Sequence, residues 1–496
     1  MAPGSPELGV MLAYTPLHHL LLRQLDGPVV ATSGNRSDEP IAIDVTDAWE
    51  RLGDVADLFL VHDRPIARHV DDSVVRMVLG EPLPLRRSRG YAPMPLVMPA
   101  PLPSVLGVGG HLKSTVGLSL DDKVFLSQHV GDLSTLAARR CFEGVAADLL
   151  RLYDAEPAAI ACDLHPDYPS SRWARQEAER RGVPLHPVQH HHAHLVSCLA
   201  DAGTFDAALG IVWDGTGYGP DGTVWGGEFL LGDLLGFTRV ARLHPFLLPG
   251  GEAAVREPWR VAAALLWEVF GPEAFERVDL PPLAAASEPE RRTLARMLER
   301  RLNTPVTTSM GRLFDGVASL AGLVHRSTFE AQAATALEHA ADPAETACYP
   351  FAVEADEIGL VLDWRLLVAA IVDDVDQQAG IGTIAARFHN TLAAAAAAVA
   401  REVGHPRVAL SGGCFANALL TERTVERLER DGRTVLRHRR VPPGDGGLAL
   451  GQVVSAAARL ATCSKCPERE VPSCVSESLE RSCTSTRTPW VWPWVA

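Results

Sequence analysis

This sequence has no long apolar run, no basic leader and no excess of positive charge. No stretch of about 18 apolar residues is free of charge, so no membrane span is expected. Residues 1–22 carry no basic region ahead of an apolar stretch, so we expect no secretory signal. The formal net charge of −15 predicts repulsion from phosphate backbones. We therefore expect no nucleic-acid partner beyond a mononucleotide.

Cysteine is present at nine positions without a paired pattern in the body of the chain. Five of the cysteines are scattered through apolar segments, at Cys141, Cys162, Cys198, Cys348 and Cys414. Scattered cysteines without a secretory signal are typical of reduced thiols, so we predict a cytoplasmic protein.

The last part of the chain, residues 461–496, has no strand or helix period. It contains the other four cysteines, Cys463, Cys466, Cys474 and Cys483. We predict that this tail is disordered or aberrant, for example read out of frame. The alternative is a zinc site, although the separations differ from those of common structural zinc sites.

The length and composition predict more than one domain. The chain has 496 residues, 47% of them hydrophobic, which is too long for a single core. Five prolines within 92–103 forbid a helix interior and favour an extended connector. We therefore predict a first domain over 1–97, a proline-rich linker over 98–103 and a larger domain over 104–460.

Two stretches of the larger domain repeat one pattern. Residues 104–132 predict a strand, a glycine turn, a strand, an Asp-Asp turn and a strand, and residues 207–233 repeat that order. Helical patterns follow each stretch. This repetition predicts two α/β lobes with a cleft between them, and phosphate-binding turns that face each other across the cleft.

Histidines are concentrated in the segment VQHHHAHL. At the start of a helix, His190 and His194 are four residues apart and share one face. That spacing allows two imidazoles to bind one divalent metal, with His191 and His192 orienting the ligands or touching substrate. The alternative is a solvated or hydrogen-bonded histidine cluster.

Glycines beside charged residues form two further candidate sites. Asp214 follows an apolar strand and can hold a cation, while Gly215 and Gly217 let the backbone approach phosphate oxygens. Lys113, in the turn 109–115, can meet phosphate, although that turn lacks the full P-loop spacing. An ordinary glycine-rich hairpin explains the first pattern equally well.

The third glycine site lies near the end of the larger domain. Gly412 and Gly413 interrupt an apolar strand that leads into a helix through Asn417, which allows a nucleotide to approach the backbone. Many plain strand-to-helix turns look similar. Asp445 lies between a proline-rich bend and a glycine pair, where the pattern alone favours a turn residue over a ligand.

Taken in chain order, these segments resemble the HypF family of hydrogenase-maturation carbamoyltransferases. The matching motifs cover nearly all of 104–455 and are GGHLKST, SQHVGDL, DLHPDYPSS, VQHHHAH, DGTGYGPDGTVWGGE, LPGGEAAVREPWR, GRLFDGVASL, SGGCFAN and PPGDGGLALGQ. The first domain is similar to the second half of a YrdC-like domain, through ATSGNRSDEPI, HDRPIARHVDDSVVR and LRRSRGYAP.

The resemblance implies a fold and an activity. The fold is α/β, with a duplicated actin/hexokinase-like (ASKHA) two-lobed domain preceded by a partial YrdC-like domain. The activity is ATP-dependent. Carbamoyl phosphate and ATP give carbamoyl adenylate, and the two-lobed domain transfers the carbamoyl group to the C-terminal cysteine of the partner HypE.

The resemblance also implies roles for individual residues. His190, His194 and Asp445 would bind a divalent metal, iron or zinc, with Asp214 close by or ligating, and these four would be catalytic. The nucleotide would be lined by Gly412, Gly413 and Asn417, with Glu330 as a ribose contact. Ser33, Asn35 and Arg87 would contact the adenylate or its phosphate in the YrdC-like part.

Three parts of the family pattern are missing from this sequence. They are an acylphosphatase-like segment, the paired CxxC zinc motifs and the first half of the YrdC-like domain. We therefore expect that this chain alone does not complete the reaction from carbamoyl phosphate. Two alternatives stay open: a small-molecule O-carbamoyltransferase, and a truncated, non-catalytic module that binds HypE.

Overall fold

The computed structural model describes residues 5–25, 27–36 and 39–463. The helices are α1 (Pro16–Gln24), α2 (Val45–Leu52), α3 (Leu136–Leu152), α4 (Pro169–Arg181), α5 (His190–Asp201), α6 (Glu252–Arg256), α7 (Pro258–Phe270), α8 (Pro281–Ala284), α9 (Glu288–Arg300), α10 (Met310–Leu320), α11 (Gln332–Ala340), α12 (Arg365–Asp376), α13 (Ile381–Val403), α14 (Ala418–Arg430) and α15 (Leu448–Cys463). None of these helices is both long enough and apolar enough to cross a bilayer.

Strands alternate with these helices through most of the chain. They are β1 (Val74–Val78), β2 (Glu81–Arg86), β3 (Leu96–Leu102), β4 (Val105–Gly107), β5 (Gly117–Leu126), β6 (Ala159–Asp163), β7 (Leu185–Val188), β8 (Ala208–Tyr218), β9 (Val224–Gly232), β10 (Phe237–Leu243), β11 (Phe246–Leu247), β12 (Val306–Thr307), β13 (Ala352–Ala355), β14 (Leu360–Asp363), β15 (Arg407–Ser411) and β16 (Thr434–Arg437).

Two sheets share one topology. The first sheet has the order β3-β5-β4-β6-β7, and the second contains β10-β9-β8-β15-β16. In each sheet the first two pairings are antiparallel and the last two are parallel. This agreement confirms the predicted duplication of an α/β lobe. Strands β13 and β14 extend only the second sheet.

Two details of the first lobe differ from the prediction. Residues 98–103, predicted as a linker, fall mainly within β3, which pairs with β5 at the edge of the sheet. Prolines are tolerated there because an edge strand leaves one row of N–H groups unpaired. The predicted Asp-Asp turn is instead part of the continuous strand β5, where Asp121 has a φ of 53°. The pairing register of β3 with β5 shifts between Val97 and Leu102.

Helix α15, from the last part of the larger domain, packs against strands from its first part. Helix α15 packs on the first sheet and against α5, through a cluster that includes Ala449, Val453 and Ala457. A Cβ added at Gly451 would lie 1.8 Å from the carbonyl oxygen of Ala193, so the two helices approach at their backbones. Close contact between helices requires a small residue at the crossing. The helix ends at Cys463, so residues 461–463 of the predicted tail are helical, and its remainder lies outside the described residues.

The N-terminal segment is packed far less tightly than the lobes. No described residue between 5 and 77 is buried. Its β1–β2 hairpin lies against the second lobe, where Arg76 donates to Glu338 at 3.1 Å and Arg437 donates to Glu81 at 2.6 Å. Ion pairs and hydrogen bonds therefore attach this hairpin to the lobe.

Candidate active site

The histidine segment begins a helix, as the spacing predicts. Helix α5 opens at His190, and the side chain of its N-cap residue Gln189 accepts a hydrogen bond from the backbone N–H of His192. Every residue of α5 is buried. The imidazoles of His190 and His194 lie on one face with ring centroids 4.9 Å apart. Burial therefore excludes a solvated cluster, whereas the alternative of a hydrogen-bonded cluster stays open.

Two carboxylates from the second lobe and the C-terminal segment meet these imidazoles. The Nε2 atom of His190 is 3.4 Å from Asp214 Oδ2 and 3.6 Å from Asp445 Oδ1. The Nε2 atom of His194 is 3.7 Å and 3.6 Å from the same two oxygens. One ligand atom from each of the four residues lies within 4.8 Å of the others. Asp214 is on β8, and Asp445 opens a short 3-10 turn before α15.

The charges of this cluster shift its pKa values strongly. Burial disfavours the charged imidazole of His190, but the carboxylates of Asp163 and Asp445 outweigh it and hold its pKa well above the ordinary value. Burial also opposes ionisation of Asp214 and Asp445, but the two imidazoles prevail. They hold the pKa of Asp214 well below its ordinary value and that of Asp445 at about 2. Without a metal, the cluster therefore consists of two ionised carboxylates beside two imidazoles that hold the protons.

The residues of this cluster fit a divalent metal. Both ring nitrogens of His194 are buried without a hydrogen-bond partner among the described residues. A buried imidazole without partners is unfavourable, and a cation at Nε2 would satisfy it. Two imidazoles and two carboxylates are a donor set that suits zinc or iron. The assignment of the metal itself stays a prediction.

A further carboxylate orients His190. Asp163 ends β6, and its Oδ2 accepts a hydrogen bond from Nδ1 of His190 at 2.8 Å. Its other oxygen accepts from the backbone N–H of His165 at 2.8 Å. Such a partner fixes the proton on Nδ1 and leaves Nε2 free to ligate. Sequence reasoning missed this residue, although it lies in the quoted motif DLHPDYPSS.

The glycine pair after β15 supports Asp214 in this structure. The backbone N–H of Gly413 donates to Asp214 Oδ1 at 2.8 Å. Gly412 has a φ of 96°, and a Cβ there would lie 2.2 Å from the carbonyl oxygen of Trp213. These glycines therefore bring the turn against β8 and hold a candidate metal ligand. Their predicted contact with a nucleotide stays a prediction.

Asn417 is placed as the sequence predicts, at the start of α14. Its side-chain oxygen accepts from the backbone N–H of Leu420 at 2.8 Å, and its amide nitrogen contacts Nε2 of His389 at 2.9 Å. Burial lowers the pKa of His389 to about 4, so that imidazole is neutral and accepts the hydrogen bond. Both ends of the Asn417 amide are thus already engaged within the protein.

Gly215 and Gly217, the two glycines predicted to approach phosphate, differ in their surroundings within β8. Both lie within the strand, which extends to Tyr218, so the predicted turn begins only beyond that residue. A Cβ at Gly217 would lie 2.4 Å from the ring of His191, so the small residue makes room for the histidine helix. A Cβ at Gly215 would meet only Arg312, at 3.7 Å.

An ion pair connects the two lobes at the rim of the site. Lys113 Nζ donates to Glu330 Oε1 at 2.6 Å, and both side chains are about half exposed, at 42% and 51%. Burial would lower the pKa of Lys113, but Glu330 outweighs it and raises that pKa, with smaller contributions from Asp445 and Asp214. The predicted phosphate contact and the predicted ribose contact therefore lie together beside the cluster.

The three residues predicted in the YrdC-like part are not joined to this cluster by any contact within the described ranges. Ser33 is exposed, and the Asn35 amide donates to the carbonyl oxygens of Arg36 and Glu39. Arg87 is 5% exposed and donates to the carbonyl oxygens of Leu126 and Met94. Burial lowers the pKa of Arg87 to about 10. Its two terminal nitrogens therefore donate to backbone oxygens, while Nε has no hydrogen-bond partner among the described residues. The phosphate contact of Arg87 stays a prediction.

Comparison with known protein families shows which class of protein this chain resembles. Residues 210–452 match the second subdomain of the carbamoyltransferase Kae1-like domain, and residues 100–201 match the HypF Kae1-like domain. Residues 1–88 match a Sua5/YciO/YrdC family model described as telomere recombination. The two-lobed α/β domain therefore belongs to the Kae1-like class, and a YrdC-like segment precedes it.

Individual relatives narrow the class further. The carbamoyltransferase HypF of Synechocystis is 44% identical over 470 residues, which cover 92% of this chain and 60% of the relative. A HypF homologue of Cupriavidus necator is 38% identical and covered over 94% of its length. A crystal structure of full-length HypF in a phosphate- and nucleotide-bound form superposes with a TM-score of 0.87 at 36% identity, covering 93% of this chain and 72% of that one. The T. kodakarensis HypF structure gives 0.86 at 32% identity, covering 93% and 62%.

The chain belongs to the HypF carbamoyltransferase family. It spans about 60% of the length of the curated Synechocystis relative, and similar shares of several others. The predicted α/β fold with Kae1-like and YrdC-like parts is thereby confirmed.

Proposed function

We propose that this chain transfers a carbamoyl group from carbamoyl adenylate to the C-terminal cysteine thiol of a HypE-type protein. The observation that carries this proposal is the buried cluster of His190, His194, Asp214 and Asp445, together with membership of the HypF family. Carbamoyl adenylate derives from carbamoyl phosphate and ATP. A cytoplasmic location is part of the same proposal.

The proposed step is an acyl transfer. The thiolate sulfur of the acceptor attacks the carbamoyl carbon, a carbon–sulfur bond forms, and the bond to the phosphate oxygen breaks so that AMP leaves. A divalent metal held by His190, His194, Asp214 and Asp445 would supply Lewis acidity at this point. Asp163 and Gly413 hold two of these side chains in place.

The nucleophile in this proposal comes from another protein. Burial raises the pKa of Cys162 to about 12 and that of Cys414 well above its ordinary value, so neither thiol is activated. Burial likewise raises the pKa of Cys198. In this proposal the acceptor protein supplies the reactive thiolate that these buried cysteines do not provide. Burial of the cluster would limit the access of water to the acyl adenylate, which water otherwise hydrolyses.

The proposal is tested with metal-loaded chain, carbamoyl adenylate supplied directly, and a purified HypE-type acceptor. We expect the acceptor to gain the mass of one carbamoyl group on its C-terminal cysteine, as read by mass spectrometry. An acceptor with serine at that position is the control. Transfer to small hydroxyl compounds instead would favour the O-carbamoyltransferase alternative. Binding of the acceptor without transfer would contradict the enzymatic proposal.

A further inference from the structure

A buried arginine lies beside the cluster and has no role in the steps described above. Arg312 is on the first turn of α10 and is 8% exposed. Its backbone N–H donates to the N-cap residue Ser309, whose hydroxyl also contacts the carbonyl oxygens of Asp214 and Gly215. The first turn of α10 is therefore fixed directly against the strand that carries a candidate metal ligand.

The guanidinium of Arg312 has far fewer partners than its donors require. Its charge partner in the described part of the chain is Asp315, at 2.8 Å. Nε and Nη1 are buried and make no well-directed hydrogen bond within those residues. A guanidinium has five N–H donors, and a buried one left so incompletely satisfied is unfavourable. Such a group is typical of a site that a ligand completes.

The open part of this guanidinium faces the site. Nη2 lies 3.7 Å from the point that a Cβ at Gly215 would occupy, so the absent side chain leaves the guanidinium accessible beside Asp214. The other nearby cation, Lys113, is paired with Glu330. The N–H of Gly413 is already donated to Asp214. Arg312 is likewise paired, with Asp315, but unlike Lys113 it is buried, so it is the buried cation with unused donors next to the cluster among the described residues.

The charge balance of the site indicates the class of ligand. Two carboxylates neutralise a divalent metal, so an anionic group bound beside them needs a further positive charge. A guanidinium matches the geometry of phosphoryl oxygens through two parallel hydrogen bonds. A neutral carbamoyl group has no such need. The unused donors therefore suit a phosphoryl group.

We propose that Arg312 binds the phosphoryl group of the nucleoside 5′-phosphate half of the substrate, and so determines specificity for a nucleotide over a nucleoside. This inference rests on the proposed function, because it assigns the leaving group of the acyl transfer to a named side chain. Asp315 holds the guanidinium in position from one turn further along α10.

The test measures binding of AMP, adenosine and inorganic phosphate to the metal-loaded chain by calorimetry. For Arg312→Gln we expect AMP to bind about 10- to 100-fold more weakly, from the loss of a charge-assisted hydrogen-bond pair. Adenosine affinity and metal content should stay unchanged. Arg312→Lys, which keeps the charge, should retain part of the preference for AMP. Arg326→Gln is the matched control, because that arginine is exposed and pairs with Glu257 and Glu290 elsewhere.

Each contrary result has a distinct meaning. Equal losses of affinity for AMP and adenosine in Arg312→Gln, or an unchanged affinity for AMP, would overturn the inference. A variant that no longer binds inorganic phosphate but binds AMP as tightly as the unmodified chain would overturn the assignment to a nucleotide. If the unmodified chain binds neither AMP nor adenosine, the proposed function fails and the inference fails with it. If the unmodified chain binds AMP and Arg312→Gln binds it equally well, the inference alone is wrong.

Discussion

The centre of the site and its rim contain ion pairs with different surroundings. In the centre, His190 and Asp163 are 1% and 0% exposed and 2.8 Å apart. At the rim, Lys113 and Glu330 are similarly close, at 2.6 Å, but about half exposed. Charges in a low dielectric interact strongly and are costly when left unpaired, whereas exposed pairs are screened by water. Ion pairs of similar length therefore have different interaction energies in the centre and at the rim.

The largest effect is expected from removing an imidazole in the centre. We predict that His194→Ala weakens metal binding by more than about 100-fold, since even outer partners of metal ligands contribute about 10- to 100-fold. Metal content after purification and competition with a chelator measure the effect. His244→Ala, outside the cluster, serves as the control. Full metal retention by His194→Ala would refute the metal centre.

The next effect is expected at Asp163. In Asp163→Asn an amide N–H faces Nδ1 of His190 and moves the ring proton to Nε2, the atom that must ligate. We predict a loss of about 10- to 100-fold in metal affinity. In the metal-free protein, at a pH above the raised pKa of His190, nitrogen NMR of labelled histidine should show the changed tautomer, which a general loss of packing would not produce. Asp167→Asn is the matched control, because that residue is partly exposed in the loop that follows β6 and pairs with Arg172.

Disrupting the packing of α15 against α5, behind the cluster, should lower the stability of the fold. We predict that Gly451→Ala destabilises the fold by about 1–3 kcal/mol, because the added Cβ pushes α15 away from α5. Gly144→Ala in α3 is the contrasting variant, since nothing lies within 4 Å of its Cβ and a helical alanine is favoured by about 0.5–1 kcal/mol. Denaturant titrations compare the two. Equal stabilities would mean that α15 does not fix the position of α5.

Acid should weaken metal binding at the centre. Carboxylates raise the pKa of His190 in the metal-free protein, so the protonated imidazole competes with the metal. Below that pKa, each unit by which the pH falls should lower the affinity about tenfold for each proton displaced, and the pKa of the second imidazole, His194, is raised as well. The affinity thus rises with pH and levels off above the raised pKa. A pH-independent affinity across the acidic range would contradict the role of His190.

The smallest effect is expected at the rim. We predict that Glu330→Gln changes the free energy of unfolding by less than about 1 kcal/mol, with most of that difference lost at high salt. Thermal unfolding at two salt concentrations measures it. A large, salt-independent loss would mean that the rim behaves like the buried centre, and would remove the contrast between them.

Several features of the site could be read from local sequence. The spacing of His190 and His194 predicts a shared helix face, and Asn417 was correctly placed at the start of a helix. These features depend on neighbouring residues only. The role of Asp445 could not be read in this way, since its glycine-rich surroundings favour a turn. It does open a turn, and its carboxylate also joins the cluster.

Other features depended on contacts between distant segments. Asp163 lies 27 residues before His190 and becomes its partner only because β6 ends beside the start of α5. The glycine pair at 412–413 looked like a nucleotide turn, yet its N–H holds Asp214, which is 199 residues away. Residues 98–103 looked like a linker because their prolines exclude helix, but an open sheet edge accommodates them.

The sequence by itself determined the residue types, the repeated strand and helix pattern and the helical spacing of the two histidines. These follow from backbone preferences and periodicity, which act over a few residues. Only the tertiary structure decided which carboxylates meet those imidazoles and which charges lose contact with water. Burial and distance between segments far apart in the chain set those interactions, and no local pattern encodes them.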